Sequence, residues 1–274
     1  MVYRSQRQRI QKSRRRARYR LLAAAFAATL LQGQRSSWGA ELADVNAVDG
    51  LLVARGPGGR VRAGEALRGA RLRIKDERGR TALVRVDDVR RDPLIPTSSL
   101  LYYQLSRYDP ESRRWRAFCA PGPDGSSLAV ALERRAELRF SCTSGAAGKC
   151  VRIGYRPWAS APDGRSLRPY HEACVRMLRA DYCGDGTPHT RAGTPVAWID
   201  RAGLIGEWRG RARSELRVEA VWGADGAVCV DRVRHEDLSS RDSLMARCPR
   251  LAERAPCDEQ LLHRHEDALL INRS

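Results

Sequence analysis

Lysine is nearly missing from this 274-residue chain: Lys12, Lys75 and Lys149 are the only three in a Lys+Arg total of 50. Phenylalanine and methionine are equally scarce, at three each, and aromatic residues make up 6%. The basic stripes interleaved with aromatics that bind single-stranded nucleic acid are therefore absent, despite a formal charge of +18. No CxxC pair, G-x-S-x-G elbow, HExxH helix or P-loop occurs, which removes the common signatures of zinc ribbons, serine hydrolases, zinc proteases and nucleotide hydrolases. Long hydrophobic runs are also missing. The longest, residues 21–31, would rise only about 16 Å as a helix, about half a bilayer core, so no span of the mature chain is expected.

Carboxylates are absent before Glu41, whereas residues 1–39 hold ten basic side chains followed by that apolar run and the polar stretch 32–39. A basic start, a short apolar centre and a small-residue exit predict a secretory signal peptide over 1–39. Cleavage after Gly39 places Ser37 at the −3 position; cleavage after Ala40 would place Trp38 there, a poorer fit. Ser13-Arg14-Arg15 is followed by Ala17 where a twin-arginine signal carries an aromatic, which favours ordinary Sec export. Without 1–39 the chain keeps 40 basic and 32 acidic residues, a net of +8 dispersed along it. Nucleic acid is not an expected partner. The expected location is periplasmic or extracellular.

All eight cysteines follow that segment: Cys119, Cys142, Cys150, Cys174, Cys183, Cys229, Cys248 and Cys257. An even count in an exported chain predicts four disulfides. If 169–182 is helical, Cys174 and Cys183 lie nine residues and about 13.5 Å apart on opposite faces, beyond disulfide reach. Each must then pair elsewhere, with Cys142 or Cys150 as candidates, while Cys248 could join Cys257 or Cys229. The alternative ligand set His171, Cys174, Cys183 and His189 could hold zinc, but the same helical separation and the oxidising compartment argue against it. No metal and no cofactor are expected.

The fold class expected is α+β: a β-rich N-terminal unit over 45–118, then a disulfide-stapled mixed module over 119–222 with one main helix at 168–183, and a C-terminal extension over 223–274. Alternating apolar residues and intervening turn signals predict strands at 51–54, 70–75, 82–89, 100–108, 128–132 and 137–142. Further strands are predicted at 194–200, 215–222 and 227–232. A short helix is expected at 149–155. The 168–183 helix begins with Pro169 in its first turn and stops at Gly184. Tyr170, Ala173, Cys174, Met177 and Leu178 form its buried side; Glu172, Arg176 and Arg179 form a solvated face. Short helices are predicted within 251–272, ending in an amphipathic one at 259–271.

Two stretches are distinctive: Cys142-Thr-Ser-Gly-Ala-Ala-Gly-Lys-Cys150 with Gly154-Tyr-Arg-Pro-Trp158, and His171-Glu-Ala-Cys-Val-Arg-Met-Leu-Arg-Ala-Asp-Tyr-Cys183-Gly-Asp-Gly-Thr-Pro-His-Thr190. Together they resemble the ADYC-domain family of exported bacterial proteins, whose naming motif stands at Ala180-Asp181-Tyr182-Cys183. The resemblance is densest over 140–202 and extends over about 119–222. It implies export and several cysteines, and carries over no catalytic residue.

Asp181, Asp185 and His189 concentrate carboxylates and an imidazole at the end of the main helix. His189 could act as a general base or metal ligand with Asp185 orienting it. The same residues also suit turn chemistry, with Asp185 in an Asx turn and His189 on a loop carbonyl. His171 is expected to pack or hydrogen-bond within the fold, and His263-x-His265 to lie on a solvated helix face. The function these features favour is a disulfide-stabilised binding or interaction module of the cell envelope or extracellular space, with an unknown protein or envelope ligand as partner. The competing reading is an exported hydrolase or metal-dependent enzyme using Asp181, Asp185 and His189. A weaker third is an envelope protein held to anionic surfaces by its remaining charge.

Overall fold

The computed structural model describes residues 41–76, 79–92, 99–122, 125–134, 137–205, 209–210, 216–252 and 257–274. The basic run, the apolar segment and both cleavage positions of the expected signal peptide lie outside the described residues. In chain order the strands are β1 (Glu41–Leu42), β2 (Asp44–Val48), β3 (Leu51–Arg55), β4 (Val61–Ala63), β5 (Arg71–Lys75), β6 (Thr81–Arg91), β7 (Leu101–Asp109), β8 (Arg114–Ala117), β9 (Leu128–Arg134) and β10 (Glu137–Cys142). Helices α1 (Ala146–Ile153) and α2 (Arg168–Arg179) follow, then β11 (Ala197–Asp200), β12 (Arg209–Gly210), β13 (Val218–Gly223) and β14 (Gly226–Val230). Two short helices, α3 (Arg241–Arg247) and α4 (Glu259–Arg264), precede β15 (Leu270–Arg273). The class is α+β.

The first sheet has the order β1-β5-β6-β7-β9-β10, with β8 also on β7. It is antiparallel apart from the β1–β5 pair. A second sheet, β2-β3-β4, packs its apolar face on it. Alternation explains the arrangement: in β6, Ala82, Val84 and Val86 are buried while their neighbours are not. Leu52, Leu67, Leu72, Leu105 and Ala131 complete an aliphatic core between the two sheets. The first sheet runs through both the 45–118 segment and 128–142, so it continues past residue 119.

The third sheet has the order β12-β11-β15-β13-β14. Helix α2 lies on it and contributes Tyr170, Ala173, Cys174 and Met177 to a core shared with Trp222, Ala220 and Leu270. This helix is shorter than expected. It stops at Arg179, where Ala180 takes the left-handed conformation (φ 50°) and its N–H closes on Arg176 and Met177 carbonyls. The stop is therefore Ala180, not Gly184. Gly184 serves another purpose: a Cβ there would stand 1.9 Å from the Asp225 carbonyl oxygen, at φ +75°.

The C-terminal end departs further from expectation. Only 259–264 of the predicted 259–271 helix is helical; Leu270–Arg273 is the central strand of the third sheet. Leu270, Ile271 and Asn272 are wholly buried, and pairing with β11 and β13 on both sides overrides the helical periodicity. The predicted 149–155 helix begins earlier, at Ala146. There Gly148 lies so near the preceding strand that a Cβ would meet the Cys142 carbonyl oxygen at 2.3 Å.

Four disulfides use every cysteine: Cys119–Cys142, Cys150–Cys174, Cys183–Cys248 and Cys229–Cys257. Cys174 takes one of its two anticipated partners. Cys183 does not; it reaches 65 residues along the chain to Cys248. Neither Cys248–Cys257 nor Cys229–Cys248 forms, because β14 and the segment before α4 bring Cys229 to Cys257. The helical separation of Cys174 from Cys183 also needs amendment, since Cys183 lies beyond the end of α2.

Candidate functional site

The motif Ala180-Asp181-Tyr182-Cys183 sits in the turn that carries the chain out of α2. Each of its four residues has a defined structural task. Ala180 is the left-handed cap. Asp181 is fully buried; its Oδ2 pairs with the Arg176 guanidinium and accepts Gly186 N–H at 3.0 Å. Arg176, expected on a solvated face, is thereby drawn in, its side chain 19% exposed. Asp181 Oδ1 and Arg176 Nε are buried without hydrogen-bond partners among the described residues. Tyr182 stacks on Trp222 with ring centroids 5.3 Å apart, and Cys183 is disulfide-bonded.

The Tyr182 hydroxyl leads into a polar network that neither composition nor spacing revealed. It donates to Glu219 Oε1 at 2.9 Å and accepts Arg234 N–H at 2.8 Å. Glu219 is wholly buried on β13 and is held by both arms of Arg234, at 3.0 Å each, and by Asn272 Nδ2 at 2.7 Å. Asn272 accepts in turn from Trp222 Nε1 at 2.7 Å. Arg234 also donates to the Met177 and Leu178 carbonyls at the end of α2 and to Thr190 Oγ1. One guanidinium thus holds a buried carboxylate and two carbonyls of a helix end. Burial and the Glu219 charge hold the Tyr182 hydroxyl well above the ordinary tyrosine range, so it stays a proton donor. Glu219 interrupts the apolar run 218–222 and was the one available signal. Arg234 is indistinguishable by sequence among so many arginines.

The three candidate catalytic residues surround the same turn. Asp185 is exposed; its Oδ1 accepts Thr187 N–H at 2.8 Å and its Oδ2 lies 3.8 Å from Arg247. The Thr187 hydrogen bonds, with the Arg247 charge, hold its carboxyl below the usual range. His189 is buried under Tyr182. Its Nδ1–H donates to the Ala180 carbonyl at 3.0 Å and Nε2 accepts from Arg247 at 2.8 Å. The lone pair that a general base would use is therefore taken. Arg247 links Asp185 to His189, while Asp181 faces Arg176. None of the three lines the clefts described on this protein.

Several clefts lie elsewhere. One of about 540 Å³ runs between the β9–β10 hairpin and α2. Another of about 490 Å³ is walled by the β13–β14 turn, Tyr170 and Arg201. A third of about 380 Å³ lies on the other side of β10. His171 lines the first; its Nδ1–H donates to the Tyr155 carbonyl at 2.9 Å, and burial pushes its pKa down. No cluster of three or more His, Cys, Asp or Glu with metal-binding geometry occurs among the described residues. His171, Cys174, Cys183 and His189 do not assemble as a zinc site, since both cysteines are in disulfides. His263 and His265 lie at the end of α4. No helix among the described residues is long and apolar enough to cross a membrane.

The ADYC domain family model matches residues 64–236, well over half the chain. No curated protein and no solved structure matches. The match takes in the naming motif, the Cys150–Cys174 bridge and both partners of the buried Glu219–Arg234 pair, and it starts within the aliphatic β layer. On that extent and on those residues, the chain belongs to the ADYC domain family.

Proposed function

We propose that the protein is exported by a signal peptide over 1–39 to the periplasm or the extracellular space and acts there as a binding module for a protein or envelope ligand. The β layer of 45–118, the cysteine-rich 119–222 and the extension 223–274 form its body, and 142–202 is scaffold. One observation carries this reading: all four residues of the motif, and His189 beside it, are engaged in closing a turn and anchoring it to β13. A scaffold with four disulfides suits an oxidising compartment and leaves its surface for recognition.

The test is crosslinked capture from envelope and culture fractions, with the oxidised exported protein as bait. The expected result is a stoichiometric partner retained by the oxidised form, lost on reduction, and unaffected by Asp185→Asn. Capture of no partner overturns the reading. So does turnover of an ester, peptide or phosphoester substrate that Asp185→Asn or His189→Gln abolishes, which would establish the hydrolase alternative.

A further inference from the structure

We infer that the open edge of β10 takes up an extended acidic peptide as an added strand; this deepens the binding-module reading and rests on it. β10 closes one end of the seven-stranded sheet, pairing β9 on one side and no strand among the described residues on the other. The register decides which backbone groups face outward. Thr143 N–H donates to the Leu128 carbonyl at 2.8 Å. Alternation along the antiparallel ladder then gives Ser141, Arg139 and Glu137 the bonds to β9 and turns the N–H and C=O of Leu138 and Phe140 outward. The Cys142 carbonyl, also on the outer side, is occupied by Gly145 N–H at 2.9 Å. Two alternate residues thus offer donor and acceptor pairs to a new strand, with no proline on β10 to remove a donor.

The surroundings fit such a strand. Side chains of an added strand point alternately to opposite faces, and a cleft lies on each face of β10. The cleft of about 540 Å³ toward α2 includes Arg139, Ser141, Arg168 and His171. The cleft of about 380 Å³ on the opposite face includes Ile74, Ala82, Phe118 and Phe140. His171 is 5% exposed, and with Nδ1–H committed to Tyr155 its Nε2 has no hydrogen-bond partner among the described residues. Charge selects the peptide: together the two clefts are lined by seven arginines and lysines against three carboxylates, and the excess of cations remains when Glu137 and Asp181, the partners of Arg139 and Arg176, are counted with them. Arg168 makes no ion pair among the described residues. A partner strand alternating apolar and acidic residues complements both the apolar and the cationic walls.

Selection from a displayed library of random peptides of about ten residues on the immobilised oxidised protein tests this directly. Sequences alternating apolar and acidic residues should be enriched. A selected peptide should bind about tenfold more weakly when methylated at every second backbone nitrogen, which removes strand pairing and keeps its side chains. Arg139→Glu, at a side chain one-third exposed, should weaken it about tenfold with the near-UV circular dichroism unchanged. Recovery of no peptide, enrichment of basic peptides, affinity indifferent to backbone methylation, or equal displacement by any polyanion would each overturn the edge. If the partner captured by the oxidised protein also binds Arg139→Glu undiminished, the edge is overturned and the binding module stands.

Discussion

The two halves of the protein are held together by different physics. Around β3, β5, β6, β7 and β9 the core between the two sheets is mostly aliphatic, and the Tyr103 hydroxyl within it accepts Leu52 N–H at 2.8 Å; the one buried carboxylate described in this half, Asp92, accepts from the Tyr102 hydroxyl at 2.7 Å outside that core. Burial pushes Tyr103 up to about 12. Around α2 and the third sheet the core holds Asp181, Glu219, Arg234, Asn272 and His171 at 7% exposure or less. That half also contains three of the four disulfides. An aliphatic core degrades by degrees as methylenes are removed, whereas a buried ionic network fails when one member leaves the others unpaired.

The sharpest way to break the contrast is Glu219→Ala. It strands the Arg234 guanidinium, 1% exposed, and should cost about 4 kcal/mol in urea unfolding. Replacing Glu219, Arg234 and Asn272 together by apolar residues of similar volume should recover most of that loss. Next, Cys150→Ala with Cys174→Ala opens a loop of 24 residues and should cost about 3 kcal/mol. Limited proteolysis of that variant should cut the α2 module first and leave the β layer. Leu72→Ala in β5, wholly buried, should also cost about 3 kcal/mol, but the first cuts should fall in the β layer. Equal cutting of both halves in the two variants would show one cooperative unit in place of two kinds of core.

Smaller effects refine the picture. Tyr182→Phe removes one donor to Glu219 and the acceptor for Arg234 N–H, at about 1.5 kcal/mol, and keeps the Trp222 stack. The last concerns pH. The folded-state pKa of His171 is depressed by burial, so between the ordinary histidine value near 6.5 and its lower folded value the unfolded chain binds more protons. Its contribution is therefore complete above about pH 6.5 and is lost as pH falls through that window. Thermal melts from pH 8 to 5 should show the decline, and His171→Asn should flatten it while the Asp185 contribution, lost only at lower pH, remains.

Local signals carried much of the first sheet. Glu137–Cys142 is the predicted strand residue for residue, and the strands at β3, β5, β6, β7 and β9 fall within a few residues of expectation, because alternation there matches one buried face. The start of α2 was equally plain from Pro169 and the apolar stripe. Its end was not: an alanine in the left-handed region is uncommon, and its burial in the core of the third sheet, with the His189 bond to its carbonyl, depends on distant residues. Leu270–Arg273 reads as the tail of an amphipathic helix until two neighbouring strands claim it. The candidate site was legible as a cluster but not as an arrangement. Asp181, Asp185 and His189 do surround one turn, yet their partners Arg176, Arg247 and the Ala180 carbonyl decide what each can do.

Composition and order along the chain were enough to determine the family, the α+β class and the commitment of all eight cysteines to bridges, because counts, spacing and periodicity are properties of the chain itself. The joining of Cys183 to Cys248 across 65 residues, the burial of Glu219 with Arg234, and the open edge of β10 were decided only by the tertiary structure. Each depends on which distant groups meet, and for a charge or a thiol that meeting sets the energy more than the residue's own preference.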